Sequence, residues 1–566
     1  MGSITASRYA GIVVAAVFAV ANVATYLASD ATSSEFPLWA LSLFVFLFFI
    51  SVLGRWKYLV WALAPALLLA PFEFLYIWLY QKPSSPHLYG ILAESNLAET
   101  IEFLSPLGGF LGLVICICWV FGVIWLCRWA RAWPAVSKKM RLILLLLSTS
   151  ALGGVALAHE ATMFPKNSDA ASDALSEKTS NDVFLDLKST FFPGIYMRLL
   201  SYLDERRNML HVIHEKSGFK FNPKYIGPEK QIVVLIIGES SRKDRWSLYG
   251  YQRATNPELA KIRNLVALRD MVTPWDSTRM SVPVMISRKP PLSSAMVFPE
   301  KSLVSLFEEA GFYTYWVSNQ QTYGRYDSPI TQFASEANER FYLNPAEYSG
   351  PGSMDGVLAG KLEEILKRNQ QRIFVVLHML GSHWNYKHRY PGEYDIFRPS
   401  LNDVGDVALQ SASSRQEVSN SYDNTIVYTD RVLSDVAKLL SSQKNPAVFW
   451  YTSDHGEDLQ QVDCKLRGHG NSTRSSLEVP SVVYYNQAFF DINQSSIQIL
   501  LKNADKKIST QAVFYGFPWL VGVRAAALGG DKALSSASFE EEKRMVNGQR
   551  KLSYDDVVQK SRCQPI

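Results

Sequence analysis

A carboxylate placed just behind a buried strand is a ready metal ligand, and this chain has two such sites. Gln231–Gly238 (QIVVLIIG) is a continuous apolar run followed at once by Glu239. Ala447–Thr452 is a second run, closely followed by Asp454-His455-Gly456-Glu457. Parallel strands end on one edge of a sheet, where α/β proteins gather their chemistry. Glu239, Asp454 and His455 are therefore expected to meet there. Two carboxylates and one imidazole suit a zinc ion, with a fourth position open or filled by a hydroxyl. The segment Thr273–Pro283 (TPWDSTRMSVP) supplies the hydroxyl. Ser277, Thr278 and Ser281 all qualify, and spacing alone does not choose among them. A hydroxyl touching zinc ionises far more easily than in water, and a helix N-terminus beside it favours phosphoryl oxygens. The plain alternatives are a capped loop at Asp454-His455 and an ordinary N-cap in the hydroxyl segment.

These residues need a scaffold. From Gln231 onward the pattern is α/β, with strands expected at Gln231–Ile237, Phe312–Val317, Ile373–His378, Ala447–Thr452 and Val479–Tyr485. Such runs rich in Val, Ile and aromatic residues fit strands covered on both faces by helices. Helices are expected at Ser302–Ala310 and Gln416–Leu440, where Val418, Tyr422, Ile426, Leu433, Val436 and Leu440 recur at near-helical spacing. The chain has 566 residues, is 48% hydrophobic and carries a formal charge of +5, so more than one domain is expected.

The second domain lies upstream. Apolar stretches occupy Tyr9–Ala28, Pro37–Gly54, Tyr58–Tyr80, Gly109–Cys127 and Leu142–Ala158. Each approaches the roughly 20 residues that cross a hydrocarbon core. One alone would fit a buried helix; five in series with charged flanks predict a membrane domain. Ala19-Val20-Ala21 gives the first stretch a second reading, a cleavable signal. Arg8, Arg55, Lys57, Arg128, Arg131, Lys138, Lys139 and Arg141 fall on one side, whereas the loops Ser29–Phe36 and Gln81–Leu107 hold only Lys82. This is the positive-inside pattern, and it places everything after Ala158 outside the cytoplasm. The positive charge thus belongs to membrane flanks, and no basic stripe with interleaved aromatics points to nucleic acid. Glu73, inside the third stretch, is costly there unless functional or near the interface.

A polar link follows at Lys166–Asn181, and Phe184–His214 reads as a helix, either along the membrane surface or simply solvated. Cys116, Cys118 and Cys127 lie in the fourth stretch as small packing residues. Cys464 and Cys563 are either one disulfide or two free thiols.

The segments Gly238–Arg242 and Ser247–Pro257 (SLYGYQRATNP) resemble the signature of the membrane phosphoethanolamine transferases, in the alkaline phosphatase/sulfatase superfamily. The resemblance extends through Asn319-Gln320-Gln321, His378–His383 (HMLGSH), Lys387–Pro391, Tyr422-Asp423-Asn424 and Ser453–Glu457. It is closest to the branch that modifies the lipopolysaccharide core. It implies a five-helix transmembrane domain (residues 1–160), a linker with interfacial helices (161–228), and an alkaline phosphatase/sulfatase-like α/β/α periplasmic domain (229–566). The implied location is the bacterial inner membrane, multi-pass, with the catalytic domain in the periplasm.

Carried over by position, the resemblance implies Glu239, Thr278, Asp454 and His455 as zinc ligands, with Thr278 as nucleophile. His383 and His469 match histidines that contact the substrate phosphate or assist the leaving group. Glu94-Ser95-Asn96-x-x-Glu99 resembles a loop near the lipid head group, so Ser95 and Glu99 are expected to bind substrate. His378 is expected to be a packing residue at a strand end. One zinc ion or two remain open. The implied activity is transfer of phosphoethanolamine from phosphatidylethanolamine to a lipopolysaccharide acceptor, core sugar or lipid A, through a covalent phosphothreonine. The alternatives are a phosphoglycerol transferase acting on an envelope glycan and a non-catalytic membrane scaffold or channel. A sulfatase activity is disfavoured because no Cys/Ser-x-Pro-x-Arg segment lies near the first motif, and a transporter because the crossings hold few polar residues.

Overall fold

The computed structural model describes residues 38–80, 84, 89, 110–163, 190–215, 218–295, 298–320, 329–344, 353–368, 370–404, 414–459, 466–547 and 551–557. The chain divides into two compact units: one comprises Met1–Ser95 and Phe103–Glu205, the other Asn96–Glu102 and Arg206–Ile566.

In the first unit, helices α1 (Leu38–Leu53), α2 (Trp56–Tyr80), α3 (Phe110–Trp129) and α4 (Lys138–Met163) occupy four of the five apolar stretches. The first stretch, Tyr9–Ala28, lies outside the described residues. Among the described residues two helices, not five, are long and apolar enough to cross a membrane: Trp56–Ile77 and Leu111–Ala132. The apolar helix at Ser42–Leu53 is shorter. Helix α5 (Gly194–Glu215) realises part of the expected Phe184–His214 helix; residues 184–189 lie outside the described residues, and the helix begins just after Pro193. Pro193 lacks the N–H that an earlier start would have used in the helix interior.

Glu73 turns out to be partnered. Its carboxylate receives Arg198 Nη2 at 2.7 Å, with both side chains 2% exposed. The Ser84 hydroxyl and backbone N–H also donate to it. Arg198 further donates to Thr190 O at 3.0 Å and Ser84 Oγ at 3.1 Å. A buried charge is tolerated when paired and fully hydrogen-bonded. Cys116, Cys118 and Cys127 are free thiols, while Cys464 and Cys563 lie outside the described residues.

The second unit is built on one sheet: β1 (Gln231–Gly238), β2 (Leu265–Leu268), β3 (Tyr313–Ser318), β4 (Glu339–Tyr342), β5 (Arg372–His378), β6 (Ala447–Ser453) and β7 (Ser481–Tyr485). The strand order is β2-β7-β6-β1-β5-β3-β4. Strands β6, β1, β5, β3 and β4 are mutually parallel; β7 runs antiparallel to β6, and β2, antiparallel to β7, runs in the direction of the other five. The expected Val479–Tyr485 strand therefore starts at Ser481, and its direction makes the sheet mixed.

All eight residues of β1 are buried, and they alternate between two cores. Val233, Leu235 and Ile237 pack with α6 (Thr278–Ile286), α7 (Leu303–Glu309) and Phe514 and Phe517. Ile232, Val234 and Ile236 pack with α8 (Gly356–Leu366) and α9 (Arg415–Ser441). At about 1.5–3 kcal/mol per fully buried aliphatic side chain, this two-sided burial holds the central strands firmly enough to fix what hangs from their ends. The short edge strands β2 and β4 were not foreseen.

Candidate metal centre

Strand register brings the donors together. Ile237 pairs with His378 and Gly238 with Ser453, so β1, β5 and β6 end at one level. Beyond that level the chains stay linked: Asp454 N donates to Gly238 O at 3.1 Å, and Ser382 N donates to Glu239 O at 2.9 Å. Glu239, Asp454 and His455 are buried, and their ligand atoms all lie within 4.8 Å of one another.

Thr278 completes the set from another element. It is the first residue of α6, and its N-cap residue Ser277 makes no side-chain capping bond. The positive end of the helix dipole thus lies beside the Thr278 hydroxyl. Thr278 is half-buried. Its Oγ1 donates to Glu239 Oε2 at 3.0 Å and sits 3.2 Å from His455 Nε2. His455 Nε2 is 3.4 Å from Glu239 Oε1 and 3.6 Å from Asp454 Oδ2.

A zinc ion fits this geometry. Donors about 2.0–2.1 Å from a tetrahedral centre lie about 3.3 Å apart; Thr278 to Glu239 and to His455, and His455 to Glu239 and to Asp454, are separated by 3.0 to 3.6 Å, with Glu239 offering Oε2 to Thr278 and Oε1 to His455. His455 Nδ1 is 2.8 Å from Gly456 O. A carbonyl only accepts, so Nδ1 carries a proton, and Nε2 is the nitrogen that faces the cluster and would offer its lone pair to a bound metal. Asp454 Oδ2 is buried and has no hydrogen-bond partner among the described residues.

The electrostatics of the bare cluster favour a cation. Burial pushes Asp454 up to about 7, and the Glu239 charge adds to that. Burial alone would lower His455, but the Asp454 and Glu239 carboxylates outweigh it and carry the imidazole to about 9. Burial would raise Glu239; the neighbouring His455 charge, with hydrogen bonds from Ser240 and Gln320, overcomes it and holds the carboxyl at about 2.

The two further histidines flank the cluster. The His469 ring stacks on His455 with centroids 4.8 Å apart, and its loop is pinned where Gly468 and Asp458 exchange backbone hydrogen bonds of 2.7 and 2.9 Å. Burial takes His469 down to about 3, and the His455 charge pushes the same way. His383 follows the loop tied to the Glu239 carbonyl, and Arg389 Nε holds its own carbonyl at 2.9 Å. Burial lowers the His383 imidazole as well. Its Nδ1 faces Trp384 O at 2.6 Å and so is the protonated nitrogen, leaving Nε2 as the basic one. His378 lies behind the site, buried against Trp316 with 5.9 Å between ring centroids. Ser95 and Glu99 lie outside the described residues.

Several groups that hold the site had no assigned role in the sequence reading. Ser240 adopts a left-handed φ of 55°. Its Oγ donates to Glu239 Oε1 at 2.6 Å, and its N–H donates to Asp454 Oδ1 at 3.2 Å. The Tyr422 hydroxyl donates to Ser240 O at 2.6 Å and accepts from Arg242 N at 2.9 Å. Buried Asp423 takes Arg245, Arg253 and Tyr251 at 3.1, 2.8 and 2.7 Å. Tyr422 and Asp423 are thus a clamp on the loop behind Glu239, while Asn424 binds the Asp395–Phe397 segment instead. Asp276 Oδ2 ties the Thr278 segment to the His469 loop by accepting from Ser472 N at 2.5 Å. In the sequence Ser240, Tyr422 and Asp423 stood inside the motifs Gly238–Arg242 and Tyr422–Asn424 that carry the resemblance, and Asp276 in the hydroxyl segment, but nothing there gave them a role.

Comparison with known proteins agrees with the fold. Phosphoethanolamine transferase EptC of Escherichia coli (strain K12) is 24% identical over 509 residues, covering 85% of this chain and 83% of that protein. The integral membrane protein lipooligosaccharide phosphoethanolamine transferase A (EptA) from Neisseria meningitidis matches with a TM-score of 0.69 at 18% identity, over 94% of this chain and 97% of that one. The C-terminal periplasmic domain of EcEptC from Escherichia coli, in complex with Zn, matches with a TM-score of 0.54 at 24% identity, over 60% of this chain and 98% of that one. The Sulfatase family model matches residues 231–515. That match spans every strand of the central sheet and all the clustered donors, and by it the chain belongs to the sulfatase family.

Proposed function

We propose that this protein is a zinc-dependent phosphoethanolamine transferase that takes its donor group from phosphatidylethanolamine and passes it to a lipopolysaccharide acceptor. The observation that carries the reading is the buried cluster of Glu239, Asp454 and His455 with the Thr278 hydroxyl 3.0 and 3.2 Å from Glu239 and His455. It is supported by relatives named as phosphoethanolamine transferases, one of them a lipooligosaccharide phosphoethanolamine transferase, and by a relative's domain described in complex with Zn. The proposed arrangement is a multi-pass inner-membrane domain over residues 1–160, a linker over 161–228 and a periplasmic catalytic domain over 229–566. The loop with Ser95 and Glu99 would receive the lipid head group.

Glu239, Asp454, His455 and Thr278 would hold the zinc. When bound it supplies Lewis-acid stabilisation of the threonine oxygen and of the charge that builds on the phosphoryl group. In the first step the Thr278 oxygen forms a bond to phosphorus and the phosphorus–oxygen bond to diacylglycerol breaks. His383 or His469, neutral through burial, relays the threonine proton to the departing diacylglycerol oxygen. In the second step the acceptor hydroxyl or phosphate oxygen attacks phosphorus, and the bond to Thr278 breaks. The same imidazole takes the acceptor's proton and returns one to Thr278. The positive end of α6 faces the phosphoryl oxygens in both steps.

The test is mass spectrometry of envelope glycolipids from cells carrying the intact protein or Thr278→Ala. A phosphoethanolamine mass is expected only with the intact protein. Equal modification by the variant removes Thr278 as nucleophile, and a phosphoglycerol mass in its place replaces the donor.

A further inference from the structure

Resting on the zinc-dependent reading above, we propose that Gln320 is the positioning residue that sets the Glu239 carboxylate for metal binding. Gln320 stands just past the end of β3, two strands away from β1, with β5 between them. Its side chain crosses the end of β5 to reach Glu239. Gln320 Nε2 lies 2.9 Å from Met379 O and 3.0 Å from Glu239 Oε2. Met379 O only accepts, so the amide nitrogen must face it, and the second hydrogen of that nitrogen points at Glu239. The orientation of the amide is therefore dictated by its surroundings.

The backbone that carries Gln320 is anchored just before it. Asn319 N donates to His378 O at 2.9 Å. Asn319 Nδ2 donates to Asp355 Oδ1 at 2.9 Å and to Ser353 O at 2.8 Å. Asp355 also receives Leu380 N and Gly381 N at 2.8 and 2.7 Å. One buried carboxylate thus fixes both the Gln320 side and the Met379–His383 loop.

On the far side of Glu239, Ser240 Oγ donates to Oε1 at 2.6 Å. Gln320 and Ser240 hold the two oxygens from opposite sides, and the carboxylate is left turned to Thr278 and His455. A glutamate without that grip must give up side-chain freedom each time it takes a cation. Partners that orient a ligand are typically worth about 10–100-fold in metal affinity.

The experiment uses the full chain in detergent. Zinc affinity is measured by competition with a chromophoric chelator for the parent, for Gln320→Met (similar length, no donor) and for Gln320→Glu (same shape, repelling both Met379 O and Glu239). The expected result is a loss of about 10–100-fold for Gln320→Met and a larger loss for Gln320→Glu. The visible spectrum of the Co2+-loaded variants is expected to change, with the melting point in excess chelator unmoved. A parent that binds zinc and a Gln320→Met variant that binds it equally well overturn the role of Gln320 and leave the zinc reading intact. Weaker zinc binding that comes with an equal fall in the chelated melting point assigns Gln320 to the scaffold and also overturns the role. A parent that takes up no zinc overturns the zinc reading itself.

Discussion

Tyr422→Phe removes one oxygen atom and tests how the site is held. That hydroxyl donates to Ser240 O at 2.6 Å and accepts from Arg242 N at 2.9 Å. Tyr422 is fully buried, so water does not replace it. The variant leaves one carbonyl and one N–H unpaired, at about 1–3 kcal/mol each. Ser240 also sits at a left-handed φ of 55°, a strained setting that persists only while its surroundings impose it. A loss of about 3 kcal/mol is expected. At about 2 °C per kcal/mol for a unit of this size, the melting point falls by about 6 °C. Zinc affinity falls too, because Ser240 bonds both Glu239 and Asp454. Thermal unfolding followed by tryptophan fluorescence, with and without chelator, reads both effects. A melting point within ~1 °C of the parent, with unchanged zinc affinity, refutes the clamp.

Gly381→Ala is expected to fail more severely. Gly381 has a φ of +51°, and an added Cβ would lie 2.6 Å from Glu239 O and 2.9 Å from Glu239 N. The left-handed backbone alone costs about 1 kcal/mol, and the clash falls on the backbone of a proposed ligand, so transfer activity and zinc binding should fall together; a fully active variant contradicts the close approach. In the first unit, Arg198→Met should destabilise by about 3–5 kcal/mol because it strands Glu73 in the core. Glu73→Gln combined with Arg198→Met should cost less than the single change, measured by thermal unfolding in detergent, and a larger loss in the double variant would refute the pairing.

What the sequence disclosed follows from burial. Strands β1, β5 and β6 are apolar along their whole length because helices cover both faces, and their expected bounds match within a residue or so. Four-residue edge strands such as Glu339–Tyr342 alternate weakly and look like loop. The antiparallel direction of β7 leaves no trace in composition. The clustered donors Glu239, Asp454 and His455 were legible because each follows a strong strand. Gln320, Ser240 and Tyr422 stood in the motifs that carry the resemblance, but their roles were not legible, because they lie in partners brought near by register: Tyr422 stands 182 residues from Ser240. Glu73 stood out as a charge in an apolar run, but Arg198, 125 residues away, looked like an ordinary helix arginine.

The proposed ligands hang from backbone of unequal firmness. Glu239 and Asp454 continue β1 and β6, inner strands whose amides are bonded between neighbours on both sides. Thr278 heads a nine-residue helix in which Pro283 lacks an N–H to give. Amide exchange should therefore be slowest beneath the acids and quickest beneath the hydroxyl. In the proposed reaction the acids would stay put while the Thr278 oxygen would have room to follow phosphorus as its bonds are exchanged.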